Sequence, residues 1–332
     1  MKKNNNKTRT TLREIAQKAG CSVNTVSLAL RGSNRISQQM RSRISKIAQD
    51  LNYTPNYAAQ NLRNQRSGII GVYSAVIRDA VRTELINRLL QELHTAEYRP
   101  MLGIEQDIND IQGNSTWMET FRLLNVEALV VIGRIPMELP GWTHQIPVIL
   151  LGCEPDETLP CDYLALDRAQ AARIGVEHLI ARNHREILVA CELEGDFGHG
   201  CIETIRRSRC KLHKLPMEKE LYDPQESRLL GYTLSRQSRG PTAAIFNDSG
   251  LAAGFMCGIM DRHGRVPEDM AVIGYDYFPW ADMLAVPLTT VEQPIESMVT
   301  AAVELVRKRL AEPSAPPIHI VQPHNLVIRK ST

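Results

Sequence analysis

Twenty-two residues near the start of the chain, Thr11 to Gly32, read TLREIAQKAGCSVNTVSLALRG and leave few folds open. Thr11-x-x-Glu14 has the spacing of a capping box, in which the threonine hydroxyl and the glutamate carboxylate each satisfy an orphan N–H at a helix start. Leu12, Ile15, Ala16 and Ala19 come next at helical spacing. Gly20 predicts the helix end, because a left-handed conformation costs glycine little. Ser22 predicts the cap of a second helix, which turns Val26 and Leu30 inward. The connection is about three residues long, as in a helix-turn-helix. Ser37 predicts the cap of a third helix, Gln38 to about Leu51, with Met40, Ile44, Ile47 and Leu51 as its apolar stripe.

Charge sets this segment apart. Residues 1–66 hold thirteen Lys/Arg and two acids, whereas residues 67–332 hold 26 basic and 35 acidic residues. A basic arm on an acidic body fits a nucleic-acid-binding head, although charge alone also fits a solubility tail. The motif decides between them. The second helix leaves Val23, Asn24, Thr25, Ser27 and Leu28 on its outer face. Asparagine makes paired hydrogen bonds to adenine in the major groove, and Val or Leu touches the thymine methyl. Thr11, Ser22 and Arg31, at the helix ends, complete the expected DNA-facing set. Pro55 disfavours a helical Thr54 and separates this bundle from the next segment. Asn56 then predicts the cap of a short helix, Tyr57 to about Asn64. Its Ala58, Ala59 and Leu62 bury too little to stand alone, so it needs its twin in a dimer, or DNA.

From Gly68 the pattern changes. Short runs rich in Val, Ile and Leu alternate with amphipathic helices, which predicts parallel sheets covered on both faces. Roughly ten strands over 332 residues are too many for one ordinary core, so two such lobes are expected. Ligands of open α/β sheets sit beyond the strand carboxyl ends, here between the lobes. No G-x-G-x-x-G or P-loop motif comes after any strand, and no cofactor is expected. His178 and His184 lack a zinc spacing, and no metal site is expected. Cys191 and His199 stand eight apart with no third group, which argues against an enzyme. No apolar run is long enough to span a membrane, and the first twenty residues lack an export signal. Seven scattered cysteines without a C-x-x-C fit reduced thiols in the cytoplasm.

Taken in order, TLREIAQKAGCSVNTVSLAL, RISQQMRSRISKIAQDLNYTPN and AAQNLRNQRSGIIGV resemble the LacI/GalR family of bacterial transcription regulators. The body segments PVILLG, LDRAQAARIGVEHLIARNHREI, PTAAIFNDSGLAAG, RVPEDMAVIGYD and PLTTVEQP extend that resemblance over most of the chain. It implies an all-α helix-turn-helix head (1–55), a hinge helix (56–66), and a periplasmic-binding-protein-like core of two doubly wound parallel-sheet lobes (67–332). It also implies a homodimer on double-stranded, palindromic operator DNA, with a small-molecule effector such as a sugar or sugar phosphate in the cleft. Val23, Asn24 and Leu28 fall at base-reading positions, and Leu62 at the wedge that opens a minor-groove base step. The missing export signal and the DNA-reading head favour a repressor over a transport receptor.

In the cleft the match to the family weakens. Family members often carry aromatics after the first body strand, where this chain has Asp79-Ala80-Val81-Arg82. An arginine commonly precedes a glycine by three residues in the second lobe, and the nearest match is Phe197 before Gly200. Asp167, Asp248 and Asp276 match, and Trp280 is an aromatic placed to line a cleft. Asp276 reads either as an acceptor for ligand hydroxyls or as a loop carboxylate capping the next turn. Arg82 reads as a partner for an anionic ligand group. A cleft that has lost its effector, and a ligand receptor in which DNA binding is secondary, are the alternatives.

Overall fold

The computed structural model describes residues 10–53, 66–74, 80–105, 116–133, 139–156, 158–216, 223–235 and 240–332. The chain divides into two compact units, Met1–Ser67 and Gly68–Thr332.

The first unit is a three-helix head: α1 (Leu12–Ala19), α2 (Val23–Leu30) and α3 (Gln38–Asp50). Each helix starts where its cap predicts. Thr11 and Glu14 exchange both bonds of the capping box, Ser22 accepts from Thr25 N, and Ser37 accepts from Met40 N. Gly20 ends α1 at φ +66. Ile15, Ala16, Ala19, Val26, Ala29, Ile44 and Ala48 form the core, with Leu30 only partly buried. Small alanines at the contacts let three short helices pack closely, since none is long enough to be stable alone.

The second unit holds two six-stranded sheets among the described residues, not the roughly ten strands expected in all. Lobe 1 contains β1 (Ile69–Ser74), β2 (Arg99–Ile104), β3 (Ala128–Ile132), β4 (Val148–Cys153), β5 (Asp162–Leu166) and β11 (His319–Gln322). Its strand order is β11-β5-β4-β3-β1-β2, parallel throughout. Lobe 2 contains β6 (Glu186–Cys191), β7 (Lys211–Pro216), β8 (Ala243–Phe246), β9 (Ala271–Tyr275), β10 (Thr289–Glu292) and β12 (Asn325–Val327). Its order is β12-β10-β9-β8-β6-β7, and only the β10–β12 pair is antiparallel.

The central strands are buried along their whole length, as sheets covered on both faces require. In lobe 1 the cover includes α4 (Ala80–Thr95), α5 (Thr116–Leu123) and α10 (Ile295–Ala311). In lobe 2 it includes α6 (Arg168–Ala181) and α7 (Asp196–Arg207) on one side, and α8 (Pro224–Leu234) with α9 (Ser249–Met260) on the other. The last two helices touch through glycines. A Cβ on Gly258 would fall 1.8 Å from Arg228 O, and one on Gly254 would fall 2.3 Å from Pro224 O. Two backbones so close exclude any side chain there.

The chain passes between the lobes three times: from β5 to α6, from β10 to α10, and from β11 to β12. These crossovers bring residues 167–168, 293–294 and 323–324 to the seam. No helix among the described residues is long and apolar enough to cross a membrane.

Candidate functional site

Two places carry chemistry. The first is the outer face of α2. Val26 and Ala29 point inward and fix the helix orientation. Asn24 is exposed, Val23 stands at 36% exposure, and Thr25, Ser27 and Leu28 are half-buried. The Ser22 hydroxyl is taken up by Thr25, accepting from its backbone N and lying 2.9 Å from its Oγ1. Arg31 folds back on Ser27, donating from Nε to its carbonyl and from Nη2 to its hydroxyl. Arg41 donates to the Gly32 carbonyl. Thr11 is occupied by its capping box. Asn56, Tyr57, Ala59 and Leu62 lie outside the described residues.

The second place is the set of strand carboxyl ends in the body. On lobe 1, Arg82 in the first turn of α4 puts Nη2 3.7 Å from where a Cβ would stand on Gly133, just beyond β3. Asp167 comes directly after β5 and caps α6 through Gln170 N. On lobe 2, Asp248 lies just beyond β8 and caps α9 through Leu251 N. Both carboxylates therefore start helices, and Asp167 also stands at the first crossover. Asp276 ends β9 at φ +85, a left-handed conformation that a non-glycine residue holds at a cost. Its carbonyl and that of Tyr275 both accept from the Ser249 hydroxyl, which secures the turn.

Two of the expected ligand residues lie in the lobe cores. Val81 is buried in the lobe 1 core, on the same α4 face as Leu85 and Leu89, because four-residue spacing keeps one helix face inward. Phe197 is 6% exposed and packs its ring 5.0 Å from Tyr275, as part of the lobe 2 core. Trp280 is 55% exposed and meets Phe278 edge-on.

The structure adds residues that no sequence motif marks. Arg168, directly after the first crossover, has a buried Nε with no hydrogen-bond partner. Burial works against its charge, but Tyr275, Asp276, Glu154 and Asp196 outweigh burial and hold its pKa above the usual arginine value. Those acids come from both lobes, which places the guanidinium at the seam. His324, in the third crossover, is 4% exposed and hydrogen-bonds the Tyr275 hydroxyl through Nε2 at 3.0 Å. Burial first, and then the Arg168 charge, push its pKa down to about 4, with Asp167 opposing.

This depression has a stability consequence. The unfolded imidazole takes up a proton near pH 6.5 and the folded one near pH 4, so the unfolded state gains protons first as pH falls. His324 should therefore contribute stability fully above about pH 6.5 and lose it progressively toward pH 4, roughly 3 kcal/mol in all. Urea unfolding at stepped pH should show this slope in the native chain and a flatter one in His324→Gln. Equal slopes would contradict the assignment.

Comparison with known proteins matches two stretches of the chain. Residues 11–56 match the family described as bacterial regulatory proteins, lacI family, and residues 176–332 match a periplasmic binding protein-like domain. The chain is 23% identical over 330 residues to the probable HTH-type transcriptional repressor ExuR of Bacillus subtilis (strain 168), covering 97% of this chain and 98% of that one. It is 27% identical over 349 residues to the HTH-type transcriptional regulator DegA of the same organism, covering 98% of each. The crystal structure of the lac repressor dimer bound to operator and the anti-inducer ONPF superposes with a TM-score of 0.81 at 20% identity, over 98% of this chain and 99% of that chain. The chain belongs to the LacI family.

As a LacI-family protein it is a DNA-binding transcription regulator and not an enzyme, in keeping with relatives that are regulators along their whole length. The side chains agree. Cys191 is fully buried and burial pushes its thiol up to about 12, so it supplies no thiolate to His199 at neutral pH. His178 instead hydrogen-bonds Thr332 Oγ1 at 3.0 Å. The fold is the one the family resemblance implies: a helix-turn-helix head and a two-lobed periplasmic-binding-protein-like core.

Proposed function

We propose that the chain is a repressor that binds an approximately palindromic operator as a homodimer, and that a small molecule between the lobes sets its operator affinity. The observation that carries this reading is α2. Its first turn presents Val23 and Asn24 outward while its cap and buried face fix their direction. In this reading Asn24 reads adenine, Val23 and Leu28 meet thymine methyls, and Thr25, Ser27, Arg31, Thr11 and Ser22 position the helix on the phosphates. Two copies are needed because one helix-turn-helix reads too few base pairs, and two-fold symmetry makes the operator palindromic.

Exposed apolar side chains support the dimer. Leu229 and Tyr232 on α8, with Trp280 and Met283 in the loop after β9, leave large apolar surface in solvent. Both segments pack into one cluster with α9. The lac repressor of the same fold was crystallised as a dimer on operator with an anti-inducer. Residues 56–66 form the hinge helix in this reading, Leu62 is its wedge, and the protein works in the cytoplasm, where its DNA is. An effector that prefers one lobe arrangement by 1–3 kcal/mol, a typical coupling, would shift operator affinity. Asp167, Asp248, Asp276 and Arg82 are the groups at the strand ends from which a ligand contact would be drawn.

The test begins with an operator selected from random duplexes. Asn24→Ala should lower affinity for it by roughly 10- to 100-fold, the worth of one paired base contact, and leave binding to random DNA unchanged. Equal loss on both DNAs, read by fluorescence anisotropy, would refute the base-reading role. Leu62→Ala should weaken operator binding and reduce the bend seen by energy transfer between end-labelled duplex termini. An unchanged bend would contradict the wedge.

A further inference from the structure

We propose that the effector carries an anionic oxygen group, a carboxylate or phosphate, and that Arg168 is its anchor. The proposal rests on the effector-cleft reading above and names the ligand class for it. Arg168 stands where β5 of lobe 1 gives way to α6 of lobe 2, at a strand carboxyl end and on the seam. Its Nε is shielded from solvent and bonded to nothing, and none of its nitrogens forms an ion pair among the described residues. A desolvated guanidinium donor left unmade is unfavourable, and a native structure retains one where something else completes it. The nearby acids keep the charge in place without closing on it: Glu154 comes from lobe 1, and Asp196 and Asp276 from lobe 2.

The shape of the guanidinium selects its partner. Its planar fork offers paired N–H groups that match the two oxygens of a carboxylate or phosphate, whereas a lone hydroxyl uses one donor and leaves the charge unanswered. A second buried group lies on the same helical turn. Gln170 Oε1 is also without a hydrogen-bond partner, and it accepts only from a donor. The complementary ligand is therefore a small molecule whose oxyanion meets Arg168. The usual platform for a neutral sugar ring is weak in this chain. Residues 79–82 include no aromatic, and Phe197 is packed into the core against Tyr275.

The experiment uses the full chain and calorimetric titration with gluconate, glucuronate, glucose 6-phosphate, ribose 5-phosphate and glucose. At least one anionic probe should bind ten times or more tighter than glucose. Arg168→Gln should weaken that probe by roughly 10- to 100-fold, the range of a charge-assisted hydrogen bond, and weaken glucose by less, so that the preference for the anion narrows. Arg168→Lys, which keeps charge but loses the fork, should fall between. A response confined to gluconate and glucuronate assigns a carboxylate, and one confined to the phosphates assigns a phosphoryl group. Glucose binding as tightly as the acids, silence of every anionic probe, or full affinity in Arg168→Gln would each overturn the proposal. Operator affinity, measured separately with and without the probe, tests the regulatory reading. A probe that binds through Arg168 without changing operator affinity would remove that reading and leave the anchor standing.

Discussion

Operator affinity should fall by about 10³ or more when monovalent salt rises from roughly 50 to 200 mM, given six or more phosphate contacts. Each phosphate neutralised by Lys or Arg releases condensed counterions, and salt takes that entropy away. The head can supply the contacts. Arg13, Lys18, Arg31, Arg35, Arg41, Arg43 and Lys46 all lie among its described residues. Arg31 and Arg41 are already held by Ser27 and by the Gly32 carbonyl, so less side-chain freedom is lost when they meet phosphate. The body, with 35 acids against 26 basic residues, gains nothing from phosphate, so the slope belongs to the head. Arg31→Ala should lower the slope of log K against log salt by about 1 and weaken operator and random DNA alike. A shallow slope in the native chain, corresponding to one or two contacts, would mean that the basic arm is not a DNA-binding surface.

The head is legible in the sequence because its signals are local. Thr11, Glu14, Gly20, Ser22 and Ser37 each act within a few residues of themselves, and each does what its type and spacing dictate. The lobes are legible where strands are purely apolar, as in ALVVI and AVIGY. Strands with polar residues in buried places are not. Thr289 and Thr290 in β10 are buried, and their hydroxyls find partners in Glu292, two residues on, and in Thr332 and Arg329, brought up from elsewhere in the chain. α8 carries a readable cap in Asp223-Pro224, but its Gly231 looks like a breaker. Only the approach of Phe255 O, 2.1 Å from where a Cβ would lie, explains that glycine. The cleft is the least legible part. Arg168, Tyr275 and His324 are distant in sequence, and they meet only because the chain crosses between the lobes three times. Val81 misleads for the converse reason: position relative to a family motif says cleft, whereas its helical phase says core.

Asp162 shows the same long-range logic at its most consequential, and replacing its partner, Arg309→Met, should destabilise the chain by about 3–5 kcal/mol. Both side chains are buried, 147 residues apart in sequence. Arg309 in α10 donates from Nε and Nη2 to the two Asp162 oxygens at 2.5 and 2.6 Å, and further to the carbonyls of Ala315 and Pro316. Asp162 in turn accepts from Ile318 N at 2.7 Å, one residue before β11 begins. One ion pair thus fixes where α10 ends, how the chain turns, and the register in which β11 joins the edge of the lobe 1 sheet. Removing the arginine leaves a buried carboxylate, and the carbonyls of Ala315 and Pro316, without their donor, and methionine fills the volume but answers none of them. Asp162→Asn should cost less, because the amide keeps an acceptor for Ile318 N and for one guanidinium nitrogen. Urea midpoints at constant slope measure both. A loss below about 1 kcal/mol for Arg309→Met, the worth of an exposed pair, would show that water reaches this site and that the edge strand is held by its ladder alone.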